Sequence, residues 1–138
     1  MRPWAWAGAV SNRWGLDNMP AQTLQQQRAK HALEQVKAFV PLNDGDKLKA
    51  RASQLPFMIH TNGLGPALAF FKSKKDKDGY DKLYGLLQSW LQEPGRPFAG
   101  KPDLMQAITE ADLNTYRLAQ AEAIQYMDWV KKFASAYL

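Results

Sequence analysis

Residues 55–71 read LPFMIHTNGLGPALAFF, an apolar run long enough for one buried helix but interrupted by two glycines and a proline. Asn62 and Gly63 are residue types that readily take left-handed backbone angles, so Gly63 reads as the C-terminal cap of one helix. Leu64 can fold back on the preceding turn, the apolar contact that accompanies such caps. Gly65 and Pro66 then restart a helix, with Pro66 expected at its first position, where a missing N–H is harmless. The stretch is a tight corner between two buried helices. A phosphate-cradling glycine loop would need more glycines or a following Lys-Ser/Thr pair.

Upstream of the corner the helical period continues. TLQQ begins with a hydroxyl residue, Thr23, and places Gln26 three positions on, the spacing of a capping box. Ala29, Ala32, Leu33, Val36, Phe39 and Val40 then recur every three or four residues, and Pro41 with NDGD ends that helix. A second helix starts near Asp46 and turns Leu48, Ala52 and Leu55 inward, with Lys47 and Arg51 four apart on its outer face. Pro56 either kinks this helix or opens a short new one from Ser53.

Downstream, Tyr80, Leu83, Tyr84, Leu87, Trp90 and Leu91 share one helix face, and EPGRPFAGKP (93–102) is a loop by composition. A short helix follows over 103–111, capped by Asp103. The last helix, roughly 113–137 with Asp112 as N-cap, carries two apolar stripes. Tyr116, Ala119, Ala123, Met127, Val130, Ala134 and Tyr137 form one, and Leu118, Tyr126, Trp129 and Phe133 the other. Two stripes mean that other helices pack around it. No segment alternates with period two. The fold expected is all-α: one bundle of about six helices, residues 23–138, around a long C-terminal helix.

Composition bounds the function. The 138 residues are 46% hydrophobic and 22% charged, the balance of a soluble globular domain, with no apolar run near the about 20 residues of a membrane span. The absence of cysteine excludes disulfides, thiolate metal sites and a cysteine nucleophile, and agrees with a reducing cytoplasm as the compartment. A net charge of +5 suits a polyanionic partner without singling one out.

Four stretches narrow the choice: QQQRAKHALEQV (25–36), LPFMIHTNGLGPALAFFKSK (55–74), YDKLYGLLQSWL (80–91) and YRLAQAEAIQYMDWVKKFASA (116–136). In this order and spacing the chain, from about 23 to 137, resembles the small helical subunit of the type III-B CRISPR effector, the Cmr complex. The Asn-Gly-Leu corner and the closing Trp-Val-Lys-Lys-Phe-Ala are its most specific parts. The resemblance implies a non-catalytic protein, present in several copies as a minor filament beside the subunits that hold the guide RNA and close to the target RNA. It implies other effector subunits (backbone and large), further copies of the chain, and guide and target RNA as partners, with no membrane and no cofactor. A helical adaptor binding only protein partners in another complex is the alternative.

The residues themselves offer no catalytic constellation. His31 and Glu34 are three apart on one helix face, but no second such pair completes a metal site, and His31 reads as a boundary histidine. His60 can serve the free carbonyls of a helix end. Basic residues are more informative. Lys47, Lys49 and Arg51 cluster without an acid among them. Lys72, Lys74, Lys75 and Lys77 follow the ALAFF helix, diluted by Asp76, Asp78 and Asp81. Arg28, Arg117, Lys131 and Lys132 fall inside the family-like stretches. Phosphate contacts position without reading sequence, which suits a subunit that accepts any guide and target. Arg28, Lys47, Lys49, Arg51, Lys72, Lys74, Arg117 and Lys132 are therefore the RNA-binding candidates, and no metal site is expected. Trp90, Trp129, Phe70 and Phe133 sit at core spacing and are not read as base-stacking platforms. Residues 1–22 form a separate extension with Trp4, Trp6 and Trp14, anchors expected to dock on the helical core or on a neighbouring copy; Met19 would be a sensible start for the family-like part.

Overall fold

The structure, a computed structural model, describes residues 21–138. The tryptophans of the extension, and the docking expected of them, lie outside the described residues. Six α-helices follow: α1 (Leu24–Phe39), α2 (Gly45–Asn62), α3 (Leu64–Ser73), α4 (Tyr80–Leu91), α5 (Leu104–Glu110) and α6 (Leu113–Tyr137), with 3-10 turns at Val40–Leu42 and Lys77–Gly79. No strand occurs among the described residues. The single all-α domain expected from periodicity is the one observed.

Helix starts follow local chemistry. Thr23 Oγ1 accepts from the Gln26 N–H at 3.0 Å while Gln26 Oε1 accepts from the Thr23 N–H at 2.9 Å, a complete capping box. Asp103 and Asp112 cap α5 and α6 by accepting from Gln106 N–H and Thr115 N–H.

The last helix is central. Ala119, Ala123, Tyr126, Met127, Val130 and Ala134 are buried along it. Matching contacts set its neighbours' directions. Arg28 meets Glu122, His31 meets Tyr126 and Lys37 lies over Tyr137, so α1 runs parallel to α6. Gly45 lies against Leu138 while Gly63 and Leu64 meet Tyr116 and Gln120, so α2 runs antiparallel along nearly the whole of α6. The second stripe is only partly covered: Tyr126 is buried, Trp129 and Phe133 are half-buried, and Leu118 is 58% exposed. Val40 is likewise 50% exposed, because α1 ends at Phe39 and the chain turns away.

The corner differs in detail from its expected form. Gly63 has φ +93° and ψ 163°, a positive φ but an extended ψ outside the left-handed helical well, in a region essentially reserved for glycine. Its N–H closes α2 on the Ile59 carbonyl at 2.9 Å, and its own carbonyl accepts from Ala67 N–H at 3.2 Å to open α3. One residue thus caps both helices. Leu64 is the first residue of α3, and Pro66 is the third, still inside the turn whose N–H groups have no helical partner. Pro56 opens no new helix: α2 runs through it. Its missing N–H leaves the Ala52 carbonyl without its helical bond.

Two glycines make opposite predictions. A Cβ on Gly63 would lie 3.3 Å from the Tyr116 hydroxyl at a φ that L-residues avoid, so Gly63→Ala should lower unfolding free energy by about 1–3 kcal/mol. A Cβ on Gly85, inside α4, meets nothing within 4 Å, so Gly85→Ala should raise it by about 0.5–1 kcal/mol. Urea titrations of both variants check the pair, and equal shifts would contradict the corner geometry.

Candidate nucleic-acid interface

The candidate cations fall into three groups once the helices are packed. Arg28 belongs to the interior. Its guanidinium donates to both oxygens of Glu122 at 2.6 and 2.9 Å, with the two side chains only 14% and 10% exposed. Trp90 Nε1–H donates to the same carboxylate at 2.9 Å. The Trp90 ring is stacked on Tyr126 with centroids 5.2 Å apart, and the Arg96 guanidinium lies 4.5 Å from the Trp90 centroid. In this fork, shared by α1, α4 and α6, the donors of Arg28, one of the RNA candidates, already serve Glu122.

His31 sits beside the fork. Ser89 Oγ donates to the Leu86 carbonyl at 2.8 Å, so it accepts from His31 Nε2–H at 3.2 Å, and the Tyr126 hydroxyl donates to His31 Nδ1 at 2.6 Å. Both ring nitrogens are engaged inside the bundle. Among the described residues no group of three or more His, Asp or Glu could hold a metal ion.

The second group gathers on two tyrosines one turn apart on α4. Arg51 and Lys74 lie 4.5 and 6.0 Å from the Tyr80 centroid, Lys74 also covers Phe70 at 4.8 Å, and Lys72 lies 4.9 Å from the Tyr84 centroid. Burial pushes the Tyr84 hydroxyl up to about 12, so it stays neutral beneath the lysine. Of the neighbouring acids, Asp78 is matched with Lys47 at 3.5 Å and Asp81 with Lys82 at 3.2 Å, while Asp76 is exposed and makes no ion pair among the described residues. Arg51, Lys72 and Lys74 make no ion pair among the described residues. Phe70, expected in the core, is at its edge beneath Lys74.

The third group lies in a cleft between α2 and α6. The sequence cluster Lys47, Lys49 and Arg51 is split by helix geometry: Arg51 faces Tyr80 and Lys47 pairs with Asp78, while Lys49 points the other way, to Lys131 and Ser135 of α6. The cleft, about 430 Å³ in its larger part, continues past Ser53 to Phe57, His60, Gln125 and Asp128. Among the described residues His60 makes no hydrogen bond to a carbonyl; Thr61 serves the Phe57 and Met58 carbonyls instead. Lys132 pairs with Asp128 at 3.1 Å, and Arg117 is exposed on the first half of α6. Sequence reading missed Phe57, which is 66% exposed. It lies off the buried Leu48, Ala52, Leu55, Ile59 stripe, a signal present in the helical period itself.

An all-helical bundle with a tight glycine corner and basic side chains on its flanks defines the class by fold alone: a small single-domain helical protein. Residues 24–137 match the family model of the CRISPR-associated protein Cas_Cmr5. The chain belongs to this family, the small subunits of type III-B Cmr complexes. Its structure is similar to the X-ray crystal structure of a CRISPR-associated Cmr5 family protein from Thermus thermophilus, with a TM-score of 0.67, 27% identity, and coverage of 85% of this chain and 99% of that one. Among the described residues no helix is long and apolar enough to cross a membrane.

The His31 site predicts a pH response. Burial lowers the imidazole pKa, against smaller opposing effects of Glu93 and Glu34. The unfolded chain takes up this proton near about pH 6.5 and the folded chain only at lower pH. Between the two values the unfolded state binds more protons, so this contribution is complete above about pH 6.5 and is lost as pH falls through the folded-state pKa. Urea titrations at about pH 7.5 and pH 5.5 should show a stability loss that is smaller in His31→Gln. An identical loss in both proteins would contradict it.

Proposed function

We propose that this chain is a non-catalytic subunit of the Cmr effector, stacked in copies as a minor filament, and that it holds target RNA through phosphate contacts. The observation that carries the RNA reading is the convergence of Arg51, Lys72 and Lys74, from α2 and the end of α3, on Tyr80 and Tyr84. Cations resting on aromatic faces have less freedom to lose on meeting a phosphate. Asp78 and Asp81 are matched by other lysines, and the unpaired Asp76 offsets only one of the three cations, so this surface keeps a net positive charge for a polyanion.

Head-to-tail stacking is supported by apolar side chains at opposite poles. Leu24 stands one turn before Arg28 and Leu118 one turn before Glu122, so the two exposed leucines share a level at the N-terminal ends of the parallel pair α1 and α6. Val40, Leu42 and Tyr137 are exposed at the C-terminal ends. Two unlike patches at opposite poles suit a heterologous, repeating contact. The parallel dipoles of α1 and α6 add a positive end facing a negative one.

A single copy should bind single-stranded RNA with a Kd of about 10⁻⁴ to 10⁻⁶ M, strengthened in the filament by multivalency. Replacing Arg51, Lys72 and Lys74 together by Gln should weaken target binding by the assembled complex uniformly across sequences. The slope of log K against log salt should become shallower by about 2, or about 0.7 for each phosphate that no longer meets a cation. An unchanged affinity and slope would make the chain a spacer between subunits.

A further inference from the structure

We propose that the cleft between α2 and α6 is a nucleotide site, in which one base of a single-stranded RNA stacks on Phe57 while adjoining phosphates meet Lys49 and Lys131. This rests on the RNA-holding reading and adds a second, chemically different contact to it.

Phe57 is the most exposed of the large apolar side chains among the described residues, at 66%. The inward stripe of α2 is complete without it. Lys49, Ser53 and Phe57 are each four residues apart, one above the other on the same face with a rise of about 6 Å per step. Lys131 stands opposite on α6 and borders both parts of the cleft. Neither Lys49 nor Lys131 has an ion-pair partner among the described residues. Of the two acids that line the cleft, Asp128 is held by Lys132 at 3.1 Å, and Asp46 borders the Lys49 end without an ion pair among those residues, so the two lysines outweigh it. Ser53, His60 and Gln125 line the space with groups that can both donate to and accept from a base edge. They make no hydrogen bonds among the described residues.

The chemistry favours a nucleotide over a protein helix. A helix-binding groove presents a continuous apolar row for anchors at i, i+3, i+4 and i+7. Here the row on α2 is Lys49, Ser53, Phe57 and His60, one aromatic face among cationic and polar groups. That is the combination by which single strands are held without sequence preference, stacking plus a basic rim.

The test uses the full chain and a labelled oligouridylate of about 12 nucleotides, compared with an abasic strand of the same length, by fluorescence anisotropy. Phe57→Ala should weaken oligouridylate binding at least about fivefold with an unchanged salt slope, leave abasic-strand binding unaltered, and be rescued by Phe57→Trp. Lys49→Gln with Lys131→Gln should weaken both strands and reduce the slope by about 1.4. Thermal melts establish that each variant is folded. Unchanged oligouridylate binding by Phe57→Ala, with binding weakened by the Arg51, Lys72 and Lys74 replacements, would overturn the nucleotide site and leave the RNA-holding reading standing. Loss of a protein subunit from the complex with Phe57→Ala, at unaltered RNA affinity, would overturn it in favour of a protein dock. RNA binding insensitive to both sets of variants would overturn both readings.

Discussion

Two backbone N–H groups at the turn between α2 and α3 find their acceptors on a distant helix. Leu64 N–H donates to Gln120 Oε1 and Gly65 N–H to the Tyr116 hydroxyl, each at 2.9 Å. These are donors that a helix start leaves without an intrahelical partner, and burying them unmatched would cost about 1–3 kcal/mol each. Meeting that demand fixes where α2 ends on α6. Since α2 begins against Leu138, the two helices lie antiparallel along almost their full length. The α2–α6 cleft follows from that alignment. So does the direction in which α3 leaves, carrying Lys72 and Lys74 towards Tyr80 and Tyr84.

The Glu122 carboxylate performs the corresponding task on the opposite flank of α6. A carboxylate this sheltered is tolerable because Arg28 meets it with two bonds and Trp90 with a third. The fork orders α1, α4 and α6 about one point. It also sorts the basic residues: one arginine is committed to the fold, and others are left on the flanks. Net positive charge alone does not make that distinction, because Arg28 and Arg51 look alike until their partners are known.

Much of the fold was legible in the sequence because its signals are local. Thr23 with Gln26, Asp103 and Asp112 mark helix starts through bonds that span three residues. The α4 stripe from Tyr80 to Leu91 is buried throughout, as its spacing implies. What escaped depended on distant partners. Gly63 adopts an extended ψ because α6 draws the corner close, and the choice between the two readings of Pro56, within α2 or opening a new helix, falls to the first because α2 packs along α6 as one helix. Leu118 occupies an apolar position, yet no described helix covers it. Of the site, the abundance of lysine was plain from composition. The division of Lys47, Lys49 and Arg51 between two faces required α6 and α4 to be in place.

Family membership places the chain among Cmr small subunits; the proposal beyond it is that the cations on its flanks and the exposed Phe57 hold a strand of any sequence. The most direct measurement of that claim is lysine acetylation followed by mass spectrometry on the assembled complex, before and after target RNA binds. Lys30, paired with Glu34, provides an internal reference away from the tyrosine surface. The account predicts that Lys72 and Lys74 become protected when target RNA binds while Lys30 reacts as before. Equal labelling of Lys72 and Lys74 in the two states would contradict it.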